Sequence, residues 1–517
     1  MLIAVGSLHR FFVFFAMLGH LRRLLADNPS PITWQFLVLE GYEQHFWRSI
    51  LYLQQGPPVP HAVIAFAVEV FGYPAGTAWF LIALQGAVSI ATAWLVFHFL
   101  WRVTARPDVS WVIAVVFLLS TDLLVMEYSA FGLTFHENLA MLLVLAFATT
   151  FERWYGTKQP VWVLSAGLLV GVLALTRATF SWFALVPLGF LLAGVRLRDE
   201  RTRLALGLFC AGLLPHAAWC AKNWVVYRTA TPVTTSWEGI HLAMGLAKRG
   251  HERAFVESIL AEPERYEDWV VRMLSEKGFV HWHPPLFVDY VPPEIREQDM
   301  RIQGALGGTN RFENTVGQRV LSEQYTRAFR RFAREDPRRL ARGVAQSYAV
   351  FWQPIRNYSE MFLAPLYVEP RVRRSFDLTG TLRTYVLDPL GEEQLAMQGT
   401  VAEKRGTPVR FLTLPLLPDL MHSFNMLMIH GLAPLVLLVG YAASLFRRKL
   451  LVPPAYLMLV FTYAYTALVT SVVEHGENMR LRLDVEPVIW ILSVWSAALV
   501  VRSMRFFARR FSSAAER

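Results

Sequence analysis

Residues 454–473 read PAYLMLVFTYAYTALVTSVV, a stretch of membrane-spanning length without one charged side chain. A helix needs roughly 20 apolar residues to cross the hydrocarbon of a bilayer. Inside it, every backbone N–H and C=O must be satisfied by the segment's own hydrogen bonds. Runs of this kind recur along the 517-residue chain, which is 54% hydrophobic, 14% aromatic and only 17% charged. Apolar windows set against polar breaks predict about ten spans. They fall near 2–24, 77–100, 109–126, 137–153, 161–176, 178–195, 203–223, 426–445, 454–473 and 485–502. The expected fold class is an all-α polytopic membrane protein.

The net charge of +10 is explained by position, because the positives mostly flank apolar runs. "RVTARPD" (102–108), "RLRDERTR" (196–203), "FRRK" (446–449) and "RSMRFFARR" (502–510) fall on one side if the spans alternate. The positive-inside pattern makes that side cytoplasmic. The expectation is therefore a multi-pass protein of the inner (plasma) membrane, and no nucleic-acid partner is called for. The first span is interrupted by Arg10 and ends on Arg22 and Arg23, and it lacks the basic start and cleavage site of a signal peptide. Cys210 and Cys220 lie on one predicted helix, ten residues or about 15 Å apart, too far for a disulfide.

Three regions follow. Residues 1–223 form an N-terminal transmembrane module whose first outer loop spans 25–76; 224–425 form a polar, mainly helical extracytoplasmic domain; 426–517 form a C-terminal transmembrane module. The first loop contains "WQFLVLEGYEQHFWRSILYLQQGPP", whose mixed spacing predicts short interfacial helices. In the polar insertion, "SEQYTRAFRRFAREDPRRLARGVAQSYAVFW" (322–352) predicts Arg-rich helices between Gly/Pro turns such as "GALGGTN" and "YVPPE".

The expected topology collects polar side chains at the non-cytoplasmic face. Glu40, Glu43 and His45 sit in the first loop, and Glu127, His136 and Glu137 in or beside the second. Arg177 lies in the "LTRAT" turn, Lys222 and Asn223 end the seventh span, and "EHGENMRLRLDVEP" (474–487) fills the last outer loop. Charge at membrane depth is costly and tends to mark function. Acids facing Arg and Lys suit an anionic, lipid-linked substrate: cations hold a phosphate leaving group while a carboxylate deprotonates an incoming hydroxyl. Plainer readings stand beside this one. Arg177 and Lys222 also fit snorkelling to headgroups, Glu40 and Glu43 the wet face of an interfacial helix, and the arginines of 326–342 a solvated or lipid-facing surface. In the last loop, a helix places Glu474 on one face with Glu477 or Asn478, whereas an extended chain pairs Arg480 with Arg482. Pro487 suits the first turn of the span that follows.

Four stretches occur in the order found in integral-membrane glycosyltransferases of the GT-C fold. They are "SILYLQQGPPVPHAVIAFAVEVFG" (49–72), "LALTRATFSWFALVPL" (173–188), "KNWVVYRTATPVTTSWEGIHLAMG" (222–245) and "ENMRLRLDVEPVIWIL" (477–492). The chain resembles the bacterial dolichyl-phosphate-mannose-protein mannosyltransferase-like and arabinose-transferase-like group. That resemblance implies transfer of a sugar from a polyprenyl-phosphate-linked donor, on the extracytoplasmic side, with inversion. It puts the base on Glu40 or Glu43, with Glu40 first, a second-loop acid on Glu127, and phosphate-facing positions on Arg177 and on Arg480 or Arg482. Lys222, Glu477 and Asn478 join the candidate substrate-binding set from the same face. The family commonly carries a first-loop aspartate; here Asp27 lies close to the first span and the rest of the loop offers only glutamates.

The chemistry holds without the name. A phosphate ester is a competent leaving group, so the protein need only orient, deprotonate and screen charge, and inversion needs one base. A divalent cation is an option through Glu40, Glu43 and Glu127, though no spacing demands it. The expected partners are the sugar donor, membrane lipid, and an acceptor that is a glycan, a lipid or a protein. Two rivals are a lipid-linked sugar flippase or transporter and a non-catalytic lipid-binding scaffold. The first lacks the internal repeat common in transporters, and the second draws support from the first-loop glutamates.

Overall fold

The computed structural model describes residues 1–12, 39–53, 56–120, 123, 135–196, 200–228, 238–279, 288–305, 315–352, 424–447, 452–473 and 481–515. Among them regular structure is helical throughout, with no strand, and the chain is an all-α membrane protein. The N-terminal part runs through α1 (Leu2–Phe12), α2 (Leu39–Glu43), α3 (Phe46–Leu51), α4 (Pro58–Phe71), α5 (Ala75–Thr104), α6 (Pro107–Leu118), α7 (Phe135–Thr157) and α8 (Pro160–Ala174). A 3-10 turn, Ala178–Phe180, leads to α9 (Leu185–Arg196), α10 (Glu200–Gly212) and α11 (Leu214–Tyr227). The polar insertion holds α12 (Glu238–Leu246), α13 (Glu252–Leu260), α14 (Asp268–Lys277), α15 (Pro293–Ala305), α16 (Val316–Glu335) and α17 (Pro337–Phe351). Last come α18 (Ala433–Arg447), α19 (Pro454–Val473) and α20 (Glu486–Ala515).

Among the described residues, four stretches are long and apolar enough to cross a membrane: Ala75–Thr104, Phe424–Tyr441, Pro454–Val473 and Arg482–Arg505. The pair Arg203–Gly212 and Leu214–Tyr227, bent by 54°, makes a fifth if counted as one span. Other expected spans form shorter helices. α6 has 12 residues and α8 has 15, about 18 and 23 Å long at 1.5 Å per residue. Each opens on a proline, which suits the first helical turn and fixes where the helix begins. α7 has 23 residues, but Glu137 lies near one end and Glu152 near the other. The helix expected to carry both cysteines is broken between them, at Leu213 with Pro215 following, and both thiols are free.

Two apolar cores are the largest among the described residues. The larger is built from the membrane helices, with Phe117, Phe147, Tyr456, Trp490 and Trp495 among its buried side chains. Lipid is as apolar as leucine, so close packing rather than water exclusion holds such helices together. Gly167 shows how: a Cβ there would sit 2.2 Å from the Phe209 carbonyl oxygen, and one on Gly212 would sit 2.6 Å from the Leu164 carbonyl oxygen. Only glycines let α8 and α10 approach so closely. The second core, with Phe255, Trp269, Met273, Tyr325 and Phe329, belongs to the polar insertion and draws on the ordinary hydrophobic effect, at about 1.5–3 kcal/mol per large apolar side chain. Asp299 of α15 accepts the Val316 and Gly317 amides (2.6 and 3.3 Å), and Thr315 accepts the Gln318 amide (3.2 Å), so the start of α16 is capped twice.

α17 joins the two cores. It starts beside the insertion and ends with Phe351, followed by Trp352, in the membrane core. Arg249 fastens the same junction. Its Nε donates to the Ser347 hydroxyl (2.9 Å), and its Nη2 donates to the Ser471 and Val472 carbonyls (2.6 and 3.1 Å) in the last turn of α19. A guanidinium there satisfies carbonyls that a helix end leaves open and meets the negative end of the helix dipole.

Candidate functional site

Arg177 follows α8, where the backbone turns extended (φ −139°, ψ 125°) before the 3-10 turn. This throws its side chain sideways into a buried position between two other elements. Nη1 lies 3.2 Å from Glu137 Oε1 at the start of α7. Nε and Nη2 each lie 3.4 Å from Asp484 Oδ2, in the 3-10 turn Arg482–Val485 that precedes α20. Glu137 and Asp484 are wholly buried, and His136 Nε2 stands 3.3 Å from the second Glu137 oxygen. One guanidinium thus gathers two carboxylates supplied by elements 40 and 307 residues away.

The first loop packs against this cluster. The Val59 amide donates to the Leu175 carbonyl (3.0 Å), two residues before Arg177. Tyr42, Leu53, Ile64, Phe135, Leu175 and Trp219 share one apolar cluster, so α2, α3, α4, α7, α8 and α11 meet there. The Tyr42 hydroxyl is 3.1 Å from His61 Nδ1. Burial pushes the His61 pKa down to about 3, with nearby His136 adding to the shift. On α11, Lys222 donates to the Leu53 carbonyl (3.0 Å) and lies over the Trp219 ring (3.8 Å) and, farther off, the Tyr227 ring (5.4 Å). Among the described residues no carboxylate pairs with this ammonium; a carbonyl and two aromatic faces hold it, the latter through cation–π attraction.

Arg482, an alternative to Arg480 as a phosphate-facing position, already has protein partners. It is fully buried and donates to Glu486 (2.8 Å) and to the Phe351 carbonyl (3.3 Å), with its guanidinium 5.8 Å from the Trp352 ring centre. Glu486 also accepts from the Trp490 indole (3.0 Å). This guanidinium braces α17 against α20.

Of the expected site residues, Arg177 meets the turn of the last loop, and Lys222 meets the first loop through Leu53. Glu40 and Glu43 lie on α2, exposed and one helical turn apart, with Gly41 and Tyr42 turned inward; no described residue forms an ion pair with either. Glu127, Glu477, Asn478 and Arg480 lie outside the described residues. Glu137, and Asp484 and Glu486 within the 474–487 stretch, are among the polar groups expected at this face, with no individual role assigned. An acid beside a histidine at the head of an otherwise apolar helix is the signal for Glu137, and the four-residue step from Arg482 is the signal for Glu486. No group of three or more His, Cys, Asp or Glu that could hold a metal occurs among the described residues.

No protein-family model, curated protein or solved structure matches the chain.

Proposed function

We propose that this chain is an inverting membrane glycosyltransferase that moves a sugar from a polyprenyl-phosphate-linked donor to an acceptor at the extracytoplasmic face. The observation that carries this reading is the meeting of three remote elements around Arg177, with the first loop packed against Leu175 beside it and tied to Lys222 through Leu53. Glu40 or Glu43 takes the proton of the acceptor hydroxyl. The hydroxyl oxygen then bonds to the anomeric carbon as the bond from that carbon to the phosphate oxygen breaks. The electron pair leaves with the polyprenyl phosphate, whose charge Lys222 is placed to receive. Arg177, bound to Glu137 and Asp484, fixes the turn before α20 against the start of α7.

The test is turnover of labelled polyprenyl-phosphate sugars by the full chain in lipid nanodiscs. Loss of a general base lowers the rate by about 10²–10⁴-fold, so Glu40→Gln or Glu43→Gln is expected to fall by at least the lower figure. Lys222→Met is expected to weaken donor affinity by about ten- to a hundredfold, the size of a charge-assisted hydrogen bond. Unchanged product in both glutamate variants rejects the base assignment. Absence of turnover with every donor favours the lipid-binding scaffold, a reading that gains from Arg177 and Arg482 already being matched by carboxylates.

A further inference from the structure

On α16 and α17 of the polar insertion five arginines are exposed: Arg327, Arg330 and Arg334 on α16, and Arg338 and Arg342 on α17. Steps of three and four residues keep each set on one helical face. The opposite faces are buried through Tyr325, Ala328 and Phe332 on α16 and through Gly343 and Ser347 on α17. The nearby acids have other tasks. Glu323 pairs with Arg319 (3.0 Å), Glu335 pairs with Arg331 (2.6 Å), and Asp336 accepts the Arg339 amide (2.9 Å) at the head of α17. Burial pushes the Glu238 carboxyl up, and nearby Arg330 offsets part of that; none of the five arginines forms an ion pair with another described residue.

Contacts link both helices to the end of α19, which is long and apolar enough to cross a membrane. The turn Ala247–His251 is tied to the end of α19 by Arg249. The same turn touches α16 through His251 and Phe332, with ring centroids 6.0 Å apart, and touches α17 through Arg339 (3.1 Å from His251) and Ser347. A Cβ on Gly343 would sit 2.8 Å from Arg249 Cδ. Every one of the five arginines is within five residues of Phe332, Arg339 or Gly343, so at 1.5 Å per residue it lies within about 8 Å of those contacts along its helix axis. Bilayer headgroup layers are roughly 5–8 Å thick on each side. Under the orientation proposed above this is the non-cytoplasmic side, where the positive-inside rule gives arginine no part in setting topology.

We infer that this arginine belt binds the phosphate groups of anionic membrane lipids and holds the polar insertion down on the bilayer. Guanidinium groups match phosphate in a forked geometry, and basic residues at this depth bind anionic lipid additively. The inference does not depend on the transferase reading. Its test is lipid retention by the full chain in neutral detergent, titrated with phosphatidylglycerol or phosphatidylcholine and read by native mass spectrometry. The wild type is expected to prefer phosphatidylglycerol by at least about tenfold, less so as salt rises. Arg330→Gln and Arg338→Gln are each expected to cut the preference by up to about fivefold, and replacing all five with Gln to abolish it. Replacing all five with Lys keeps the charge and most of the preference, which separates lost binding from lost folding. Equal retention of both lipids by the wild type overturns the inference. So does an unchanged preference in the folded five-Gln variant, or loss of preference in the folded five-Lys variant.

Discussion

Arg177 holds Glu137 and Asp484 in a shell with little access to water, so the three charges stand or fall together. Removing one partner of a buried ion pair costs about 3–5 kcal/mol because it strands a charge, whereas replacing all members is often neutral. Arg177→Met is therefore expected to unfold at markedly lower temperature in detergent, and adding Glu137→Gln and Asp484→Asn to restore most of the loss. A triple variant as unstable as the single one would show that pairing is not what Arg177 supplies. At this scale the sequence was only partly readable. Arg177 and the last-loop segment could be singled out because charge in an apolar setting is conspicuous, and the Arg482–Glu486 pair was implicit in its spacing. Which carboxylate claims Arg177 was not, since Asp484 lies 307 residues away and only the fold brings it near. Spacing likewise cannot say that Phe351 and Trp352 lie against Arg482.

The helices themselves show a cleaner relation between pattern and structure. α19 coincides with the expected 454–473, and α20 opens with Pro487 in its first turn, because long uninterrupted apolar runs leave the backbone no better option than a helix. Where prolines and charges punctuate the run, the elements come out shorter or bent than a window of average hydrophobicity suggests, as in α6, α8 and the α10–α11 pair. Between helices, contact distance decides what is tolerated. Gly167→Val is expected to force α8 away from α10 and lower the thermal stability of the detergent-solubilised chain by several degrees, since the added atoms meet backbone rather than a movable side chain. Gly207→Ala, on the open side of α10 with nothing within 4 Å, serves as the control and is expected to change little. Equal stability of the two variants would contradict the close crossing.

Taken whole, the two largest apolar cores among the described residues are joined through α17, through Arg249 and through the packing of α12 on the end of α19. The expectation of membrane helices and a polar insertion came from composition alone, because charge is costly to place in hydrocarbon. The manner of joining did not, since it rests on Arg249, which in sequence is one more basic residue in a charged stretch. Arg249→Met is expected to speed amide hydrogen exchange in the last turn of α19 and in residues 245–251, while the centres of both cores stay protected. Uniform loss of protection would mean that the two cores unfold as one unit.

α17 gives this junction a mechanical character. Its foot is clasped by Arg482 through the Phe351 carbonyl, and its middle is pinned to α19 through Ser347 and Arg249. A rod held at two heights cannot slide or tilt independently of its clamps. A displacement of the start of α17 is therefore expected to be felt at Arg482, on the turn that also presents Asp484 to Arg177.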